Sequence, residues 1–267
     1  MIRQFAKKIL KRANLEILHR SEGRVAELLL GAYRDLRFRP DSLALVNRAQ
    51  SVAYLQQLLK THSIESVIDV GANIGQFGSE LRDLGYSGEI HSFEPNPTCY
   101  KQLANRVSSD PRWKVYCEGV GSAPGTTKLH IFKDDTFGSF HRINQTGSDL
   151  FGGLVEETET VNVSVTTLDS VFTRILEGSE TRSILIKSDT QGHDIEVLRG
   201  ASRLLALAKV VVTEAPNISI YHDTESFSLL WQTLSDAGFV LSGLSPIGNR
   251  TSDLALIEFD CFFVRPK

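Results

Sequence analysis

An aspartate and two glycines stand close together in the stretch SVIDVGANIGQFG, which runs from Ser66 to Gly78. Asp69 ends an apolar run, and Gly71 and Gly75 follow it. Glycine lets a backbone turn tightly and approach a ligand without interference from a Cβ atom. The helix expected after this turn directs its free N–H groups at the same place. The stretch therefore predicts a binding loop for an extended ligand with a polar tail.

A second acidic residue, Glu94, ends the next predicted strand, nineteen residues beyond Gly75. The carboxyl ends of neighbouring parallel strands meet at one edge of a sheet, so Glu94 is expected beside the glycine loop. A carboxylate there can accept hydrogen bonds from both hydroxyls of a ribose. The two features together indicate a nucleoside ligand, whereas the glycines alone would indicate only a tight turn between a strand and a helix.

The spacing of the glycines distinguishes between nucleoside cofactors. A dinucleotide-binding loop has the pattern G-x-G-x-x-G, and counting from Gly71 places Asn73 and Gln76 where the second and third glycines belong. A pyrophosphate needs that close approach, whereas an amino-acid tail does not. The pattern suits S-adenosylmethionine, whose ammonium and carboxylate can bond to the loop backbone and to Asp69 and Asn73. A nicotinamide-dependent oxidoreductase and a non-catalytic binding module on the same fold are the alternatives.

A third group of polar residues, in the segment IKSDTQGHD, could carry out chemistry at the same edge. Asp189 ends the fourth predicted core strand and could take a hydroxyl proton, orient an acceptor or hold the amino group of the cofactor. His193 begins a helix, whose N-terminus disfavours imidazolium and keeps the ring available as a neutral base. The alternative is structural, with Asp189 and Asp194 capping that helix.

Glu214 ends the fifth predicted core strand and is expected to face the same edge. Together with Asp189 it could bind Mg²⁺, which prefers oxygen ligands. We favour a carboxylate that accepts hydrogen bonds from a substrate, because the sequence shows no tight acidic cluster. No metal site is therefore predicted.

The order of the elements predicts how these residues are positioned. From Ser66 onward, apolar strands alternate with segments of helical spacing, which is typical of a mostly parallel, doubly wound, Rossmann-like α/β sheet. The last two strands, FVLSGL and DCFFVRP, have no helix between them, so we expect an antiparallel strand at one edge. A helix over about 42–60 precedes the first strand, and Trp231 is expected in the core. The segment 134–160 is long for a connection and is the candidate acceptor-binding lid.

Composition narrows the class of protein. The chain has 267 residues, 41% of them apolar, and its net charge is −3. The net charge therefore does not indicate a nucleic-acid-binding protein. The three cysteines form no C-x-x-C pair, which suits a reducing compartment. No apolar run reaches the length of a membrane-spanning helix, and a cytoplasmic protein is expected.

The N-terminal segment differs in character from the rest. Residues 1–50 are expected to form a helical extension, and residues 51–267 the catalytic domain. Within the extension, residues 1–36 have the pattern of a basic amphipathic helix, whose charges interrupt the apolar core that a signal peptide needs. Such a helix could lie on the inner face of a membrane or form a homodimer. We favour packing on the domain or on a second subunit, because the apolar stripe is short.

Five segments together resemble the FkbM-type family of S-adenosylmethionine-dependent methyltransferases: VIDVGANIGQFG, HSFEPNP, VTTLDSV, LIKSDTQGHDIEVLRGA and FDCFFVRP. The resemblance runs from Ser51 to Arg265 and implies a seven-stranded sheet. It also implies O-methylation of a small-molecule or glycan acceptor, typically at a sugar hydroxyl of a glycan, glycolipid or natural product. The cofactor-binding positions that it implies are Asp69, Gly71, Asn73, Gly75, Glu94, Pro95 and Asn96, with Glu118 and Gly119 beside the adenine.

The same resemblance shows two departures from the family pattern. Many members have a glutamate where this chain has Gln191, and often another where it has Asp194. This chain therefore offers no carboxylate at position 191 to a mechanism that requires one.

Overall fold

The structure is a computed structural model that describes residues 42–175 and 183–266. The predicted basic helix over residues 1–36 lies outside the described residues. No helix within the described ranges has both the length and the apolar character needed to cross a bilayer.

The described chain alternates helices and strands, as the sequence predicts. The helices are α1 Ser42–Thr61, α2 Gln76–Asp83, α3 Pro97–Arg106, α4 Gln145–Phe151, α5 Leu168–Ile175, α6 Asp194–Arg199, α7 Ser202–Leu207 and α8 Phe227–Asp236, with short 3₁₀ turns at Asp135–Phe137 and Gly152–Val155. The strands are β1 Ser66–Val70, β2 Glu89–Phe93, β3 Trp113–Tyr116, β4 Gly119–Val120, β5 Gly125–Phe132, β6 Glu157–Thr166, β7 Ile184–Ser188, β8 Ala208–Pro216, β9 Val240–Asn249 and β10 Leu256–Val264.

Seven strands form the main sheet in the order β3-β2-β1-β7-β8-β10-β9. The pairs from β3 to β8 are parallel, while β10 runs antiparallel to both β8 and β9. The predicted doubly wound sheet with an antiparallel C-terminal edge is confirmed. Strands β1 and β7 lie at the centre and are buried along their whole length, which is why they read as continuous apolar runs.

Helices cover both faces of this sheet and bury two apolar layers. Helices α5 to α8 pack on one face, where Ile68 and Ile186 contribute to the core. Helices α1 to α3 pack on the other face, with Val67 and Leu185. Because side chains alternate along a strand, Asp69 and Lys187 point to the same face as Val67 and Leu185. Two charged side chains therefore sit within an otherwise apolar layer.

The segment 134–160 differs from the long loop that the sequence predicts. It contains helix α4, two 3₁₀ turns and the beginning of β6. Asn144 begins α4 as its N-cap, because its side-chain oxygen accepts a hydrogen bond from the N–H of Gly147 at 3.0 Å. Phe132, Val155 and Ile220 pack together beneath the segment. Local capping and a small core of its own give this connection a defined structure.

The segment DIEVLRGASRLL forms two short helices, α6 and α7. Gly200 between them lies against the backbone of Gly121, where an added Cβ would meet the carbonyl oxygen at 2.1 Å. Asp169 then caps the second helix by accepting the N–H groups of Arg203 and Leu204. Trp231 is 48% exposed and packs against Phe227 on the surface of α8, so its prediction as a core residue is wrong.

Candidate functional site

A cavity of about 740 Å³ opens at the carboxyl edge of the main sheet and extends beneath α1. Its volume lies within the roughly 300–1,000 Å³ typical of ligand sites. The carboxyl edge of the parallel strands is where ligands bind in open α/β sheets. The cavity is lined by most of the residues that the sequence singles out: Gly71, Asn73, Glu94, Pro95, Asn96, Glu118, Gly119, Asp189 and Glu214.

The loop after β1 has the backbone conformation that its glycines predict. Gly71 has φ +74°, and a Cβ there would meet the carbonyl oxygen of Asp189 at 1.8 Å. Gly75 has φ +89°, and Asn73 between them also adopts a left-handed φ of +48°. Glycine at 71 is therefore required both by its conformation and by the close approach of β7. The loop is held directly beside Asp189.

Glu94 connects this loop to the end of β2. Its Oε2 accepts a hydrogen bond from the backbone N–H of Asn73, and its Oε1 accepts one from the backbone N–H of Asn96, each at 2.7 Å. Burial raises the pKa of Glu94 to about 7, although both N–H groups act to lower it. Each carboxylate oxygen keeps a further lone pair, and the carboxylate lines the cavity. Glu94 therefore presents free acceptor capacity to the cavity, and its role as the ribose ligand stays a prediction.

The residues that follow Glu94 have a structural role as well. Asn96 is the N-cap of α3, because its side-chain oxygen accepts the N–H of Thr98 at 2.9 Å.

Gly119 packs against the ring of Phe140, since an added Cβ would lie 2.5 Å from Cζ of that ring. Val120 and Leu129 line the cavity near Gly119, so this end of the cavity has apolar walls.

Asp69 lies beneath the loop rather than in the cavity wall. It is fully buried and accepts a hydrogen bond from Ser92 Oγ at 2.9 Å, while its Oδ1 lies 3.6 Å from Lys187 Nζ. Burial raises the pKa of Asp69 in spite of this ammonium group. Its contacts support Lys187 and the floor of the site, and the predicted direct contact with a cofactor stays a prediction.

Lys187 links the loop to Asp189. Its Nζ lies 3.2 Å from Asp189 Oδ2 and donates a hydrogen bond to the carbonyl oxygen of Gly71 at 3.2 Å. Burial acts to lower the pKa of Lys187, but Asp189 and Asp69 outweigh it and raise the pKa above its ordinary value. The side chain is therefore a fixed cation at the floor of the cavity. The signal in the sequence is a lysine inside the apolar run SILIKSD, which is rare unless the charge is paired.

Asp189 and Glu214 face each other across the ends of β7 and β8. Gln191 Nε2 donates to both carboxyl groups, to Asp189 Oδ1 at 3.0 Å and to Glu214 Oε2 at 2.9 Å. Gln191 Oε1 in turn accepts from the hydroxyl of Tyr221 at 2.8 Å. A glutamate at position 191 would lack these two donors, so the glutamine is suited to a site with two carboxyl groups.

The two carboxyl groups titrate differently. Burial acts to raise the pKa of Asp189, but Lys187 and hydrogen bonds from Glu214 and Gln191 hold it below its ordinary value. Burial and the charge of Asp189 raise the pKa of Glu214 well above its ordinary value. Asp189 is therefore ionised near neutral pH, and Glu214 holds its proton to a higher pH than Asp189 does. The Asp189 side chain is 39% exposed because it opens on the cavity.

The structure places His193 outside the cavity, which corrects its interpretation as a base for an acceptor bound there. The chain turns away after Asp189 through two left-handed residues, Gln191 at φ +53° and Gly192 at φ +92°. The His193 ring then lies against Phe140, and its Nδ1 is 3.2 Å from Nε2 of His141. Burial and His141 lower the pKa of His193 to about 4, so the ring is neutral as predicted, but it is not positioned at the site.

The start of α6 shows no side-chain capping hydrogen bond from Asp189 or Asp194, and Asp194 instead contacts the turn that precedes the helix. Asp194 Oδ1 accepts the hydroxyl of Ser188 at 2.5 Å and the N–H of Thr190 at 3.3 Å. Burial raises the pKa of Asp194 to about 6. Asp194 therefore holds the turn in place, whereas Asp189 is free to act in the cavity. Across residues 42–175 and 183–266, no three histidine, cysteine, aspartate or glutamate side chains converge as metal ligands would.

Comparison with known proteins shows the family to which this chain is similar. The sequence pattern of the methyltransferase FkbM domain matches residues 69–241. Methyltransferase sdnD of Sordaria araneosa is 27% identical over 157 residues, which are 50% of this chain and 59% of that protein. The chain thus spans less than two thirds of that relative.

Solved structures with similar topology have low sequence identity. Fibrillarin of Aeropyrum pernix, solved with bound S-adenosylmethionine, is 12% identical with a TM-score of 0.44, covering 80% of this chain and 74% of that one. Magnesium protoporphyrin IX methyltransferase of Synechocystis PCC 6803 is 12% identical with a TM-score of 0.42, covering 89% of this chain and 91% of that one.

Proposed function

This chain belongs to the FkbM family of S-adenosylmethionine-dependent methyltransferases, and we propose that it transfers the methyl group to a hydroxyl oxygen, on a sugar of a glycan, glycolipid or natural product. The observation that carries the proposal is the position of Asp189. It is an ionised carboxylate that opens on the same cavity as the glycine loop and Glu94. A hydroxyl acceptor benefits from such a base, because a neutral hydroxyl is a poor nucleophile.

The described residues fit the cofactor. In this proposal Glu94 binds the ribose, Gly119 and Val120 contact the adenine, and the loop over residues 71–73 binds the amino-acid tail; all of these residues line the cavity. Bound there, S-adenosylmethionine supplies an electrophilic methyl group on a sulfonium. Asn73 donates its backbone N–H to Glu94 and its side-chain amide to Asp135, so it holds the loop in shape beside the tail.

The chain's own residues handle the acceptor proton. Asp189 accepts the proton of the acceptor hydroxyl as the oxygen acquires the methyl group, and Lys187, 3.2 Å away, keeps Asp189 ionised until then. Gln191 holds the carboxylate in place with one N–H and fixes Glu214 with the other. The main contribution of the site is alignment of the hydroxyl with the methyl group.

The proposal is tested by following the methyl group. Purified protein is incubated with methyl-labelled S-adenosylmethionine and cell extract. Mass spectrometry finds the labelled products, and NMR identifies the atom that carries the methyl group. The expected product carries the label as a methyl ether. A label on nitrogen, carbon or sulfur, or its absence from every extract component with the cofactor bound, contradicts O-methylation.

Cofactor binding should depend on pH through Glu94. The pKa of Glu94 is about 7 without ligand because of burial, and ribose hydroxyls that donate to the carboxylate favour its ionised form. Binding below pH 7 therefore releases a proton. The affinity for S-adenosylhomocysteine should rise with pH, by up to about tenfold per unit, and level off above about 7. Calorimetric titrations at several pH values measure this slope.

The matched control for that slope is Glu94→Gln, which removes the titrating group and keeps the size of the side chain. Its residual affinity should vary little with pH. Asp194 and Asp260 also titrate nearby, each with a pKa of about 6. If the affinity of Glu94→Gln varied with pH as steeply as that of the wild type, one of these other groups and not Glu94 would cause the pH dependence.

A further inference from the structure

One lobe of the cavity lies between α1 and strands β8, β10 and β9, and we call it the distal lobe. Asp260 on β10 stands opposite Glu214 on β8 and opposite Ser245 on β9 in the antiparallel register. Directly paired residues point to the same face, so these three side chains form one row across the floor. All three line the cavity. Phe262 and Val212 extend the floor as an apolar surface.

The cations of the distal lobe already have partners. Arg48 Nη2 contacts both carboxylate oxygens of Glu80, at 2.8 and 2.9 Å. Lys187 is engaged by Asp189 and Asp69. Asp260, by contrast, is partly buried, opens on the cavity and has no hydrogen bond or ion pair with the part of the chain that the structure describes. A carboxyl group that faces a cavity without a partner is available to accept charge-assisted hydrogen bonds from a ligand.

The carboxyl groups of this lobe also raise one another's pKa. Burial and the charge of Asp189 raise the pKa of Asp260 to about 6, although Lys187 and Arg48 act to lower it. Burial raises the pKa of Glu214, and the charges of Asp189, Glu258 and Asp260 raise it further. A cation bound between Asp260 and Glu214 would offset this repulsion and provide hydrogen-bond donors to both. The distal lobe is therefore electrostatically complementary to a positive group.

We propose that the distal lobe binds the ammonium group of an amine-bearing acceptor, anchored by Asp260 and Glu214, while a neighbouring hydroxyl is presented to Asp189. The inference rests on the proposed function and names its substrate class as an amino sugar or a similar aminated ring. Apolar side chains from both sides favour an organic ring over a hydrated metal ion: Phe77 on α2 and Phe262 on β10 line the same lobe. A primary ammonium has three donors, which suits two carboxyl groups and the hydroxyl of Ser245.

The test compares two probes that differ in one group. D-glucosamine and D-glucose are titrated into the full chain saturated with S-adenosylhomocysteine, using wild type, Asp260→Asn and Asp236→Asn. Asp236 lies on the exposed surface of α8, outside the cavity, and is the matched control. Charge-assisted hydrogen bonds predict that wild type and Asp236→Asn bind glucosamine at least about tenfold more tightly than glucose. The preference should disappear in Asp260→Asn.

Binding of S-adenosylhomocysteine by each variant reports whether the fold and the cofactor site are intact. With that binding intact, equal affinities for the two sugars, or binding of neither, overturn the inference and leave the proposed function standing. A preference that persists in Asp260→Asn removes Asp260 as the anchor and overturns it as well. Displacement of glucosamine by MgCl₂ at equal ionic strength would show a metal site instead. Failure of the wild type to bind S-adenosylhomocysteine overturns the proposed function and the inference together.

Discussion

Replacing Asp189 with asparagine is expected to lower the rate of methyl transfer by about 10²–10⁴-fold, which is the usual contribution of a positioned base. The carboxylate accepts from Gln191 at Oδ1 and faces the ammonium of Lys187 at Oδ2. An asparagine has one acceptor and one donor end, so its amide N–H₂ must point at one of these donors. The variant thus loses the base and misaligns its surroundings. Initial rates with saturating cofactor and a methylated acceptor identified in extracts measure the effect.

The control for this variant is Asp236→Asn, the same change on the exposed surface of α8, where activity should be unaffected. Affinity for S-adenosylhomocysteine should stay within a few-fold of wild type in Asp189→Asn, because Asp189 acts on the acceptor. Equal rates in Asp189→Asn and wild type would remove Asp189 as the base. Absence of activity in both, with the cofactor bound, would favour the non-catalytic binding module.

Replacing Glu94 with alanine is expected to raise the dissociation constant for S-adenosylhomocysteine by about 100-fold, or ~2.8 kcal/mol. The ribose loses its acceptor, and the N–H groups of Asn73 and Asn96 lose the carboxylate that joins them. Each hydrogen bond to a charged group contributes roughly 1.5–3 kcal/mol, so the loop is also less well ordered before binding. Isothermal titration calorimetry measures the change directly.

Glu225→Ala is a suitable control, because Glu225 lies on the surface in a long ion pair with Arg199 at 3.7 Å. It should bind the ligand as wild type does. Thermal unfolding without ligand separates a loosened fold from a lost ligand contact. Unchanged affinity in Glu94→Ala would show that the ribose lies elsewhere, and the assignment of the cofactor site at this edge would be wrong.

The proposed cofactor half of the cavity was predictable from sequence because its residues lie in short, continuous segments. Gly71 and Gly75 follow a strand whose burial makes it an unbroken apolar run, and Glu94 ends the adjacent strand. In a parallel sheet the ends of adjacent strands meet by necessity. The φ angles of the glycines and the position of the carboxylate follow from these constraints.

The acceptor half could not be predicted in the same way. Arg48, Glu80 and Asp260 come from α1, α2 and β10, and they meet only because α1 docks against the sheet and β10 inserts between β8 and β9. Register and helix docking leave no local signal in a single sequence. His193 shows the complementary error: the neutral ring was predicted correctly, but two left-handed residues before it direct the side chain away from the cavity.

The most direct measurement of the central claim is a calorimetric titration of S-adenosylhomocysteine into the wild-type chain, with reduced nicotinamide adenine dinucleotide titrated in parallel. The cavity with Glu94 beside the turned loop predicts one bound S-adenosylhomocysteine per chain, displaced by S-adenosylmethionine, and no heat from the dinucleotide. Binding of the dinucleotide together with no heat from S-adenosylhomocysteine would contradict it.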